Sequence, residues 1–195
     1  MRSRVVKALL DMSQEARMAR AAEQGFDTTT PLYHGTSKDV DFQKFKDSRH
    51  GTWTTTDPKE ASGYATQNDS KSFRLAPGGG WNMEPVNSAE RVLPLYGRPL
   101  QNPYVMTEQG YPDALKNATN YKKAQSEWFD QLRSQGHDGV VMPGNVRVDF
   151  NNSNLRGQFA PFDPANVDTN KIMGAVVPGV GISALADPGL YETPP

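Results

Sequence analysis

The clearest periodicity in the chain runs from Thr119 to Gln135, where Tyr121, Ala124, Trp128 and Leu132 recur at helical spacing and Gly136 follows. Apolar residues three and four apart share one helix face, so this segment predicts an amphipathic helix packed on a sheet. A second helix is expected over residues 4–24, possible in two pieces, because Ser13 suits a fresh N-cap and Gly25 a left-handed stop. A third begins at Asp57-Pro58-Lys59-Glu60. Asp57 accepts a first-turn amide, Pro58 fits the first turn, and Glu60 reaches back toward the cap. Ala61, Tyr64 and Ala65 then share one face of that short helix.

Between these helices lie short extended runs. Strands are expected at 31–34, after a Thr28-Thr29-Thr30 linker, and at Thr52 to Thr55, Arg91 to Gly97 and Pro103 to Val105. Gly139 to Met142 and Val146 to Phe150 form a further pair across a Pro143-Gly144-Asn145 turn. Phe42 and Phe45 anchor a polar loop. Residues 66–90, with Pro77-Gly78-Gly79-Gly80, read as a flexible excursion, and the Pro- and Gly-containing sequence beyond 165 as a poorly packed tail.

Composition narrows the picture. A chain of 195 residues holds one ordinary domain with a tail. A net charge of −1 leaves no basic stripe for a phosphate backbone, which argues against binding nucleic acid by charge. There is no cysteine, hence no disulfide, thiolate metal site or cysteine nucleophile. Three distant histidines without a Glu-x-x-His pattern predict no metal site, and His50 and His137 are read as structural or exposed. The apolar run from Ile172 to Ala186 is interrupted by Gly and Pro and falls short of the roughly 20 residues a membrane helix needs. Gly179-Val180-Gly181-Ile182-Ser183-Ala184 spells a dinucleotide fingerprint but has no room for the helix that must follow.

Four motifs recur in order: Tyr33-His34-Gly35-Thr36 at a strand end; Asp57 to Tyr64 on the capped helix; Val92-Leu93-Pro94-Leu95-Tyr96 leading to Asn102-Pro103-Tyr104; and Gly136-His137-Asp138-Gly139-Val140-Val141. Together they resemble the ADP-ribosyltransferases of the His–Tyr–Glu type, in the branch found in phage and prophage proteins, over about residues 12–165. The resemblance implies an α+β fold: a split β-sandwich of two small, mostly antiparallel sheets around an NAD⁺ cleft, with an N-terminal helix. It places a helical brace and linker at 1–30, the transferase-like domain at 31–165 and a loose tail at 166–195.

The implied chemistry breaks the nicotinamide–ribose bond of NAD⁺, the co-substrate. Positive charge develops on the ribose as neutral nicotinamide leaves, so such a site needs a flat face for the ring, hydrogen bonds to the ribose and a carboxylate. By the resemblance, Tyr64 stacks on nicotinamide and His34 holds a ribose. Gly35 and Thr36 border the carboxamide, and Thr55 shapes the pocket under the histidine.

The third family position departs from the pattern. Counting back from Phe150, and with Asn154-Leu155-Arg156 matching the family's later step, Val146 stands where a glutamate is usual. Asp149 is the nearest replacement, although strand alternation turns it away from Val146, and Gln158 is a second. The expected function is ADP-ribose transfer to a macromolecule of a bacterial host, in the cytoplasm or on a virion. The alternatives are a catalytically silent module of a larger virion or mobile-element protein, and simple NAD⁺ hydrolysis.

Overall fold

The computed structural model describes residues 10–36, 44–45, 48–67, 73–75, 81–83, 91–107 and 110–173. The expected extent of the first helix before residue 10, Phe42, the Pro77–Gly80 run and the Gly179–Ala184 fingerprint lie outside them. Among the described residues the architecture is mixed α+β. The chain order is α1 (Gln14–Glu23), β1 (Asp27–Thr36), β2 (Thr52–Thr55), α2 (Pro58–Gln67), β3 (Phe73–Leu75), β4 (Trp81–Met83), β5 (Arg91–Gly97) and β6 (Pro103–Val105). It continues with the single turn α3 (Asp113–Lys116), then α4 (Tyr121–Ser134), β7 (Gly139–Met142), β8 (Val146–Asp149) and β9 (Leu155–Gly157).

Seven strands form one sheet in the order β6-β7-β8-β2-β1-β5-β9, with β3 and β4 a separate antiparallel ribbon inside the 66–90 excursion. The large sheet is antiparallel except where β6 runs parallel to β7. A single sheet therefore stands where two were expected. Its two halves are joined thinly: between β1 and β2 the register holds only Tyr33↔Thr55, while β1 pairs with β5 from Leu32 through Thr36.

Residues directly opposite in antiparallel strands share a face. Tyr33, Thr55, Val146 and Met142 therefore form one row across the sheet. On that face α4 buries Trp128, Phe129 and Leu132 against Val140, Met142, Val146 and Val148. The predicted stripe is right at Trp128 and Leu132. Tyr121 is exposed and Phe129, beside the stripe, is fully buried. Asn120 caps α4 by accepting from Lys123 N at 3.1 Å. The opposite face of the sheet packs Leu32, Phe45, Leu95, Leu155 and Ile172, so Phe45 does anchor its loop.

The Ser13 cap and the Gly25 stop hold as expected, and two local readings change. α1 begins at the Ser13 cap, whose hydroxyl accepts from Ala16 N at 3.3 Å, and the chain leaves it through Gly25 at φ 79°. β1 runs back to Asp27 across an irregularity, because the Asp27 carboxylate takes the amides of Thr29 and Thr30 and tolerates the bulge. Residues 166–173 are packed rather than loose. Ile172 is buried, and the interior Arg156 guanidinium donates to the carbonyls of Asn166, Val167 and Thr169. Burial pushes that guanidinium down to about 10. It is held by carbonyl oxygens and by the face of Phe26 at 5.8 Å.

Leu132→Ala removes a side chain that is only 3% exposed at the centre of the α4 core. It is expected to cost about 2–5 kcal/mol in urea unfolding. A loss below about half a kcal/mol would place this helix outside the core.

Candidate functional site

The site is built where β1 meets α2. A Cβ on Gly35 would lie 1.9 Å from the Ala61 carbonyl oxygen and 2.9 Å from Ala65 N. Only glycine lets strand and helix backbones come this close. Ala61 and Ala65, both fully buried, supply the smallest side chains compatible with a helix on the other side of the contact. The predicted inner face of α2 is thus the face pressed on the strand.

One residue earlier, the His34 ring closes the seam between the sheet halves. Its Nδ1 lies 2.7 Å from the Trp53 carbonyl oxygen, at the point where the β1–β2 ladder has ended. A carbonyl only accepts, so Nδ1 carries the hydrogen and Nε2 of the neutral ring is an acceptor. The ring meets Phe45 edge-on, with centroids 5.6 Å apart. Burial pushes the imidazole below its ordinary value, against the weaker opposing effect of the Trp53 carbonyl, and so favours the neutral form.

The start of α2 carries a connected set of polar groups. Asp57 accepts from Lys59 N at 2.8 Å, as a cap does. The Asp57 amide donates to Thr55 Oγ1 at 3.1 Å, and that hydroxyl donates to Glu60 Oε2 at 2.6 Å. Tyr64 donates its hydroxyl to Glu60 Oε1 at 3.2 Å. The expected capping box is therefore rearranged. Thr55 is fully buried and its hydroxyl must be satisfied, so it stands between the cap amide and the Glu60 carboxylate. Partial burial and the neighbouring Glu60 charge push the Tyr64 phenol up, which keeps it a donor. Burial, with the neighbouring Tyr121, pushes the Tyr111 phenol up and Tyr64 adds a smaller contribution; Tyr111 edges onto Trp128 beside α4.

The structure gathers His34, Gly35, Thr36, Thr55 and Tyr64 at one strand end, but not on one face. Side chains alternate along β1: Gly35 faces α2, whereas His34 turns to the Phe45 side. Helix α2, which carries Tyr64, thus packs on the face of β1 opposite the His34 imidazole, so the two residues that the resemblance assigns to one nicotinamide–ribose site do not lie side by side.

Asp149 takes no part in this set. It pairs with Thr52 across β2, on the face opposite Thr55 and Val146, and is completely buried. Arg147 grips both its oxygens, at 2.8 and 2.5 Å. Burial pushes the carboxyl up while the guanidinium pulls it down. Val146 does share the row of Thr55, but it is sealed into the α4 core. Gln158 lies elsewhere again, its backbone oxygen taking Arg17 from α1 at 2.8 Å. Asp138 caps a turn by accepting from the amides of Gln101 and Asn102. Glu60 is the carboxylate that sequence reasoning assigned only to capping. Its spacing of four from Tyr64 on one helix was the available signal.

No protein-family model, curated protein or solved structure matches the chain.

A histidine depressed by burial binds protons more weakly in the folded than in the unfolded chain. Folding stability is therefore expected to fall as pH drops below about 6.5 toward the lowered folded value. His34→Gln is expected to flatten that slope in urea titrations between pH 7.5 and 5.5; an unchanged slope would mean that the ring is not buried neutral. Asp149→Asn leaves Arg147 without its partner charge in the interior and is expected to cost about 3–5 kcal/mol of stability. Unfolding measurements showing no loss would contradict the structural role of this pair.

Proposed function

We propose that the strand end at His34–Thr36 and the adjoining helix α2 bind NAD⁺, and that the chain transfers ADP-ribose to a macromolecular acceptor. The acceptor supplies the nucleophile, and by the sequence resemblance it belongs to a bacterial host. The observation that carries this reading is the contact of Gly35 with α2. It draws helix α2, and with it Tyr64, against the strand end that carries the His34 imidazole. Neutral His34, its Nδ1 donating to the Trp53 carbonyl, is the imidazole that the resemblance assigns to a ribose. Tyr64, its phenol held protonated by partial burial and the Glu60 charge, is the aromatic ring that the resemblance assigns to nicotinamide.

A second reading is a silent module that keeps the fold and has lost turnover. It is favoured by Val146, buried at the usual glutamate position, and by Asp149, committed to Arg147. Water in place of a macromolecular acceptor would make the same site an NAD⁺ hydrolase.

An NAD⁺ titration beside a nicotinamide-release assay separates these. Binding with release supports the transferase or hydrolase, binding without release supports the silent module, and absence of both removes the NAD⁺ reading. Tyr64→Ala is expected to weaken NAD⁺ binding by about 1–3 kcal/mol, the usual loss of an aromatic stacking partner, while Tyr64→Phe retains it. Equal affinities for the two variants and the unaltered chain would show that Tyr64 is not the platform.

A further inference from the structure

We infer that Glu60 supplies the site's carboxylate, reaching from helix α2 the place that a strand residue at position 146 would otherwise serve. The inference rests on the NAD⁺ reading above and deepens it.

Three observations converge on Glu60. The first is register. Thr55 and Val146 are direct partners across β2 and β8, and such partners hold their Cβ atoms about 4.5–5.5 Å apart on one face. The Glu60 carboxylate lies 2.6 Å from Thr55 Oγ1, so it stands on the same face within one side chain's length of the vacant acidic position. The second is orientation. Thr55 and Tyr64 each donate to a different oxygen of Glu60, which fixes the carboxylate between the buried strand and the proposed nicotinamide platform. Both partners are neutral, so the negative charge remains uncompensated by a cation in these contacts. Asp149, by contrast, is neutralised by Arg147. The third is exposure. Glu60 is partly open, where Asp149 is sealed.

The chemistry balances without a further cofactor. The bond from ribose C1′ to the pyridinium nitrogen breaks, and its electron pair goes to that nitrogen to give neutral nicotinamide. The oxocarbenium charge on the ribose is opposed by Glu60. An acceptor hydroxyl, amine or water forms the new bond to C1′ and gives up its proton to the carboxylate, which passes it to solvent. A fixed charge of this kind acts mainly on the transition state, so its loss should appear in turnover rather than in ground-state binding.

The test uses the full chain and compares Glu60→Gln and Glu60→Asp with the unaltered protein. NAD⁺ binding, nicotinamide release and thermal unfolding are read for each. Glu60→Gln keeps one acceptor oxygen for Thr55 or Tyr64, turns the other into an NH2 donor that a hydroxyl can accept, and removes the charge. It is expected to lower release by at least about 100-fold, with NAD⁺ affinity changed less than threefold and the unfolding midpoint little altered. Glu60→Asp keeps the charge on a shorter arm and is expected to retain more activity than Glu60→Gln. Normal release by Glu60→Gln would overturn the role of Glu60 while leaving the NAD⁺ reading intact. If Glu60→Gln lost binding and thermal stability together with activity, and Glu60→Asp showed no advantage in release, Glu60 would be a helix-capping residue only. Failure of the unaltered protein to bind NAD⁺ would remove both readings at once.

Discussion

Gly35 and the helix Pro58–Gln67 occupy space that no side chain could share, and the geometry around the site follows from that contact. A methyl group at position 35 would overlap the Ala61 carbonyl oxygen, so strand and helix are held at backbone distance. The close approach fixes where α2 begins and hence where Asp57, Glu60 and Tyr64 stand relative to the strand. It also sets Thr55, the last residue of β2, beneath the first turn of α2, where its buried hydroxyl joins the cap amide to the Glu60 carboxylate. Backbone packing thus positions a set of polar groups whose own hydrogen bonds could not have drawn the helix so near.

The seam between β1 and β2 has the opposite character. Continuous ladders on either side hold the two halves of the sheet, and one register pair joins them. The His34 imidazole takes the Trp53 carbonyl, which keeps that acceptor satisfied near the interior. The cost is a buried ring that resists protonation. The buried Arg147–Asp149 pair packs on the far face of the sheet and the α4 core on the near one.

Much of this was legible in the chain. Asp57-Pro58 announced the start of α2, and Tyr33-His34-Gly35-Thr36 marked the strand end, because capping and glycine chemistry are local. The α4 helix was readable from its period, though Phe129 was missed since a stripe counted from Tyr121 omits the residue next to Trp128. Less was legible where distant segments meet. Nothing near Ile172 announces that it packs with Leu32 and Phe45, or that Arg156 gathers the carbonyls of residues 166–169. Strand alternation told correctly that Asp149 and Val146 face opposite ways, yet it could not say which face the helices cover. The same alternation, applied to His34 and Gly35, would have separated His34 from Tyr64. The Glu60–Thr55 contact needed the helix angle that only the Gly35 packing sets.

NAD⁺ is proposed to occupy the strand end that His34 and Tyr64 flank. Amide chemical shifts of the labelled protein during an NAD⁺ titration test this most directly. Saturable shifts are predicted at Gly35 and Thr36, at Thr55 and along the first turns of α2, with the Arg147–Asp149 strand and the outer turn of α4 unmoved. Saturable shifts confined to another surface, or none at all with millimolar NAD⁺, would contradict it.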